Sequence, residues 1–283
     1  MRDLFEPPEA VQIYSLLVLV MGVSPVLAPL LGGQILQWFP WRTIFWVIAT
    51  LGAMGLTGSL MRLKETHRAE RKPLILGKVL RTYGDLLRDR AFLGYVLTGG
   101  MAMAGMFAYI VGSPYVFIEY FHVTTERFGL FFGVNALGLV LAAQLNARLV
   151  RHFSSDAIIR KVLAVQVTSG LVLLAGAWTG FLQLSGVAVL LFVYVASVGC
   201  LFPNITAMAM APHGARAGSA SALIGVLQFS LAAASAALIG TTRSGAAIPV
   251  AVLIGVCSVS AAVLYWTMIH SARAQAGNRV PAR

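Results

Sequence analysis

Residues 162–211 read VLAVQVTSGLVLLAGAWTGFLQLSGVAVLLFVYVASVGCLFPNITAMAMA, fifty positions without one charged side chain. About 20 apolar residues are enough for a helix to cross the hydrocarbon core of a bilayer. The run is therefore too long for one crossing, and Thr179-Gly180 with Ser185-Gly186 supply the turn that divides it. The whole chain has the same character. Of 283 residues 58% are hydrophobic and 11% charged, against about 25% charged in an ordinary globular chain, and the mean hydropathy is +0.82. So little polar surface cannot cover a water-soluble particle.

Apolar runs mark eight spans: Ile13–Trp38, Thr43–Met61, Phe92–Ile118, Phe128–Ala147, Val162–Trp178, Val187–Ala209, Gly218–Gly240 and Ala247–Ile269. Lys and Arg gather in the cytoplasmic loops of such proteins. With a cytoplasmic N-terminus and alternating spans, the inner side holds Arg2, the nine basic residues from Arg62 to Arg90, Arg148, Arg151, Arg160, Lys161, Arg216, Arg273, Arg279 and Arg283. The outer side holds Arg42, Arg127 and Arg243. Eighteen against three supports the count and places both termini in the cytoplasm. The basic excess is thus topology, and nucleic acid is not an expected partner. The start is no secretory signal, since Asp3, Glu6 and Glu9 stand where a basic region would be.

The long basic segment Arg62–Arg90 divides the chain into two spans before it and six after it. Its Leu74, Ile75, Val79, Leu80, Leu86 and Leu87 fit either one face of a helix lying on the membrane or a solvated connector. Within the spans there is no titratable carboxylate or imidazole. All ten Asp and Glu, and His67, His122, His152, His213 and His270, lie in loops or at span ends. Nucleophile, base and metal ligands do not converge, which argues against an enzyme and against a cofactor. Cys200 and Cys257 sit in separate apolar runs as small hydrophobes.

The spans are instead rich in small residues, prolines and amides. Pro25 and Pro29 bend the first, while Gly22, Ala28, Gly32 and Gly33 allow close helix contact. Gly52, Gly55 and Gly58, and Gly214, Gly218 and Ala222, have the spacing of further close-packing faces. In the third span Pro114 frees a carbonyl beside Tyr109, Tyr115 and Phe117. These rings suit either a cavity for flat amphiphilic molecules or an interfacial belt. Asn135, Gln144, Asn204 and Gln228 are amides at membrane depth, placed to bond between helices or to line a polar cavity.

Several of these stretches resemble one family. SPVLAPLLGG (24–33) followed by WRTIFW (41–46) resembles the fifth helix and the start of the sixth in drug:proton antiporters of the major facilitator superfamily, in particular its bicyclomycin-resistance (Bcr/CflA) subfamily. FAYIVGSPYVF (107–117) resembles that subfamily's seventh helix, and LFPNITAMAMAP (201–212) with GSASALIGVLQ (218–228) its tenth and eleventh. RDLF (2–5) resembles the segment after the fourth helix.

The resemblance implies an all-α polytopic fold of twelve helices in two halves, of which the eight spans here are helices five to twelve. Residues 1–61 would be the last two helices of the N-terminal half, 62–90 the cytoplasmic connector and 91–283 the six-helix C-terminal half. Gly22, Pro25, Pro29, Gly32 and Gly33 would match the antiporter motif, with Ala28 in place of its usual glycine. Tyr109, Pro114, Tyr115, Phe117, Asn135, Asn204 and Gln228 would wall a substrate cavity near the midplane.

The implied activity is export of drug-like amphiphiles across the bacterial inner membrane against protons. The first four helices, with their embedded charges, have no counterpart. Asn146–His152 (NARLVRH) is a loose echo of a cytoplasmic motif without its acidic residue. The competing expectation is a non-transporting truncated fragment, or one piece of a split transporter that needs a further N-terminal segment or chain.

Overall fold

Wherever this computed structural model describes the chain, at residues 31–62, 76–242 and 248–270, helix dominates. Two units divide the chain, Met1–Leu74 and Ile75–Arg283. Among the described residues seven helices are long and apolar enough to cross a membrane: Arg42–Arg62, Arg90–Tyr120, Arg127–Leu149, Ser155–Thr179, Leu184–Gly214, Ala217–Thr241 and Ile248–Ile269. Each overlaps one of the expected spans. Of the remaining span, Ile13–Trp38, the described part is a short helix at 31–38; Gly22, Pro25 and Pro29 lie outside the described residues.

In the first unit, α1 (31–38) gives way at Pro40 to α2 (Arg42–Arg62). The hydroxyls of Thr50 and Thr57 donate to the carbonyls of Trp46 and Ala53, each at 2.8 Å. Neither threonine therefore leaves a hydroxyl donor unpaired in hydrocarbon, where no water could satisfy it. A Cβ added at Gly32, Gly33, Gly52, Gly55 or Gly58 would meet nothing within 4 Å. Among the described residues, nothing packs against Gly52, Gly55 or Gly58.

The second unit comprises α3 (Leu76–Arg88), α4 (Arg90–Pro114), α5 (Thr125–Leu149), α6 (Ser155–Thr179), α7 (Leu184–Met210), α8 (Ala217–Thr241) and α9 (Ile248–Leu264). Helix α4 is the hub, packing on α7, α8 and α9; α7 also packs on α5 and α6, and α6 on α9. The composition of α4 explains this. A Cβ at Gly94 would meet Met268 and Ile269, at Gly99 Gln228, at Gly100 Leu231, at Gly105 Tyr194 and at Gly112 Val250. Lipid is as apolar as leucine, so close backbone approach and polar contacts, not burial from water, hold such helices together. Two contacts of this kind reach α4 carbonyls: Ser235 Oγ to Ala104 at 2.6 Å and Tyr194 Oη to Ala102 at 3.3 Å.

Helix limits follow local chemistry. Asp89 caps α4, its Oδ1 accepting from the amides of Ala91 and Phe92 at 3.0 Å. Ser154 caps α6 through the Ala157 amide at 3.3 Å, so that helix starts seven residues before the expected Val162. The charged turn containing Asp156, Arg160 and Lys161 is helical although it interrupts the apolar run. Gly180, at φ 69°, ends α6 in the left-handed conformation that favours glycine. Ser185 and Gly186 lie within α7, so the turn dividing the charge-free run is 180–183, shorter than expected.

At the basic end of this unit the expected connector is described, beyond Arg62, only from residue 76 onward. Its second half is α3, packed on α4 and α8. Leu86 is fully buried with Phe92, Tyr95 and Ile159, while Leu80 and Leu87 are exposed. Leu74 and Ile75 lie outside the described residues. Asp85 lies 3.7 Å from Arg216, and Asp89 Oδ2 lies 3.3 Å from His213 Nε2. His213 is peripheral in sequence but buried, edge-on to Phe92 at 5.2 Å between ring centres. Tyr265 donates to Asp156, whose carboxylate also lies 3.5 Å from Arg160. Among the described residues, a Cβ at Gly214 or Gly218 would meet nothing within 4 Å.

Candidate functional site

A groove of about 520 Å³ opens between α5 and α7. Arg127, Leu130, Phe131, Val134 and Asn135 line it from α5, and Ala188, Val189 and Phe192 from α7. Its size falls in the range of small-molecule sites, about 300–1,000 Å³, and its walls are mostly apolar, as such sites usually are. Helix spacing creates the α5 wall. Arg127, Phe131 and Asn135 follow at intervals of four and so share one face, with Leu130 and Val134 beside them.

Tyr109 of α4 supports this wall from behind. Asn135 Nδ2 donates to Tyr109 Oη at 2.7 Å, and both residues are buried. The Tyr109 ring stacks on Phe132 with centres 5.9 Å apart and planes 15° apart. Phe117, fully buried, stacks on Phe131 at 4.9 Å and tilts against Phe128 at 6.1 Å. The ring positions depend on Pro114. It ends α4 and cannot donate to the Ile110 carbonyl, which accepts instead from Ser113 Oγ at 3.2 Å. The chain then widens into a π-helical turn, Tyr115–Tyr120, which directs Phe117 inward and leaves Tyr115 exposed.

The structure thus brings Tyr109, Phe117 and Asn135 together at one wall, with Pro114 shaping the turn beside it. Asn204 is elsewhere on the α5–α7 seam, its Nδ2 donating to Asn146 Oδ1 at 2.6 Å. Gln228 is buried between α8 and α4, its Nε2 beside Gly99 and without a partner. Gln144 is exposed. Sequence reading did not single out Phe128, Phe131, Phe132, Phe192 or Arg127 for the site. The run FGLFF (128–132) carried a signal, because aromatics at i, i+3 and i+4 share a helix face. Asn146 appeared only as part of a motif echo, and fully buried Gln166 was passed over.

A second cavity, of about 30 Å³, is enclosed by Val116, Leu173, Leu182, Leu191, Val250 and Ile254 among others. It has room for about one water, and its walls offer almost no polar partner, so it is a packing void.

Seven long apolar helices, with a drug-sized apolar groove between two of them, define a multi-pass membrane protein suited to handling small molecules. The family model described as Major Facilitator Superfamily matches residues 1–237, and the chain belongs to that superfamily of transporters.

Among relatives, the uncharacterized MFS-type transporter YdgK of Bacillus subtilis is 33% identical over 240 residues, covering 82% of this chain and 58% of that protein. The bicyclomycin resistance protein homolog of Haemophilus influenzae is 31% identical over 237 residues, again 82% and 58%. The multidrug resistance protein MdtM of Salmonella typhimurium is 23% identical over 239 residues, 82% and 56%. The subfamily resemblance read from the sequence agrees with these relatives. The chain spans a little over half of their length. Their bacterial origin implies an inner-membrane location, and membership of a transporter family speaks against an enzyme.

Proposed function

We propose that this chain forms the C-terminal part of a drug efflux transporter that exports small amphiphilic molecules in exchange for protons. The observation that carries the reading is the groove between α5 and α7, where Asn135, held by Tyr109, is set among aromatic and aliphatic side chains. Relatives named for bicyclomycin and multidrug resistance support the substrate class. In this reading Ile13–Trp38 is an eighth span, the basic end of the bundle faces the cytoplasm with both termini, and Gly22, Pro25, Pro29, Gly32 and Gly33 restrain leakage. Asn204 and Gln228 line the path on α7 and α8.

The test is drug susceptibility of cells expressing the chain, with Asn135→Leu and Tyr109→Phe at matched expression. Resistance that falls at least several-fold in both variants supports the assignment; undiminished resistance in both rejects it. A second reading follows from the coverage of relatives: the chain requires a complementary N-terminal polypeptide. Efflux that arises only on co-expression with helices one to four of a relative would favour this reading, and proton-coupled transport by the purified chain alone would reject it.

A further inference from the structure

The groove presents its chemistry in a fixed order along α5. Arg127, Phe131 and Asn135 occupy one helix face, so a cation, an aromatic ring and an amide follow one another. Eight residues of α-helix rise roughly 12 Å, and the flexible arginine stem can shorten the working distance between cation and amide. Phe131 is fixed from behind by Phe117, and Asn135 by Tyr109, which engages one of its two amide atoms. The other, Oδ1, is buried without a partner. Rotating the amide would exchange oxygen for nitrogen and still leave one atom unspent. Across the groove, Ala188, Val189 and Phe192 offer only apolar surface. Arg127 is the only charged side chain among the described residues that line it, and no lining residue is acidic.

Resting on the reading of this groove as the substrate site, we infer that it selects elongated aromatic acids. The ligand places a carboxylate or sulfonate at Arg127, a flat ring system along Phe131, and a hydroxyl or amide at Asn135. Lipophilic cations are disfavoured, because the groove offers them a like charge and no carboxylate.

A matched set of naphthalenes tests this with the full chain in lipid nanodiscs, by microscale thermophoresis. The probes are 6-hydroxy-2-naphthoate, 2-naphthoate, and 6-hydroxy-2-naphthalene bearing a trimethylammoniomethyl group in place of the carboxylate. The hydroxy acid is expected to bind about tenfold more tightly than the cation, and Arg127→Gln to remove that preference while Arg127→Lys retains most of it. Asn135→Leu is expected to weaken the hydroxy acid about fivefold and leave 2-naphthoate unchanged. Equal or tighter binding of the cation, with Asn135→Leu still weakening both hydroxylated probes, would overturn the acid class and leave the groove as the site. Binding of all three probes that neither Arg127→Gln nor Asn135→Leu alters, or no binding at all, would remove the groove as the site and this inference with it.

Discussion

Asn204 and Asn146 face each other across the α7–α5 seam, and the Asn204 amide nitrogen spends both its protons there. One goes to Asn146 Oδ1 at 2.6 Å and the other to the Cys200 carbonyl at 2.8 Å. Both side chains are buried. Polar pairs between membrane helices contribute about 0.6 kcal/mol on average and up to about 1.7, whereas a buried polar group left unpaired costs about 1–3 kcal/mol. The second effect dominates a single substitution. Asn204→Leu is expected to destabilise the fold by about 2 kcal/mol, and Asn146→Leu added to it to recover about half. A thermal-unfolding double-mutant cycle in detergent reads this; additive losses would show that the pair is not coupled.

A few residues away, backbone meets backbone. A Cβ at Gly199 would run into the carbonyl of Leu139 on α5, which cannot rotate aside. Gly199→Ala should therefore cost about 1–3 kcal/mol. Gly225 on α8 is the control, since a Cβ there meets nothing within 4 Å. Gly225→Ala should stabilise its helix by about 0.5–1 kcal/mol. Opposite shifts in unfolding temperature for two identical chemical changes would verify the contact; shifts of the same sign would not.

At the groove wall, Tyr109→Phe preserves the stack on Phe132 and removes the oxygen that accepts from Asn135. The expected loss is about 1–2 kcal/mol. Adding Asn135→Leu should restore part of it, because the orphaned amide is then gone. Chemical denaturation of the three variants in parallel measures the recovery.

The turn before α5 contains His122 at φ 52°, the only described non-glycine residue with a positive φ. Glycine adopts that conformation without the Cβ penalty and a β-branched residue does so least readily. His122→Gly is expected to be neutral or slightly stabilising, and His122→Val to cost about 1–2 kcal/mol. Unfolding temperatures in the reverse order would contradict the backbone assignment.

The spans were legible because membrane crossing imposes a length and a composition that survive in any single sequence. The start of α6 was not, since Asp156, Arg160 and Lys161 break the apolar run while the Ser154 cap makes their turn helical. The glycines at helix crossings were hard to pick out for a related reason. Regular spacing pointed to Gly52, Gly55 and Gly58, while the close contacts among the described residues fall on Gly94, Gly99, Gly105, Gly112 and Gly199, where another helix crosses. A one-dimensional pattern does not show where helices cross. Tyr109 was picked out as a cavity or interfacial ring and Asn135 as an amide at depth, but their pairing across α4 and α5 required the fold. Phe131 and Phe192 look like ordinary lipid-facing aromatics until a groove opens between them.

The substitution of a hydroxyl for an amide at Pro114 has a mechanical meaning. In an uninterrupted helix, bending stretches a backbone hydrogen bond whose donor is fixed to the adjacent turn. Here the Ile110 carbonyl accepts from the Ser113 hydroxyl, which swivels about its own Cβ and can follow the oxygen through a range of angles. The π-helical turn Tyr115–Tyr120 can therefore flex against α4 without leaving the Ile110 carbonyl a bare acceptor. Phe117, carried on the far side of that joint, stacks on Phe131, so the joint sits directly behind the groove wall.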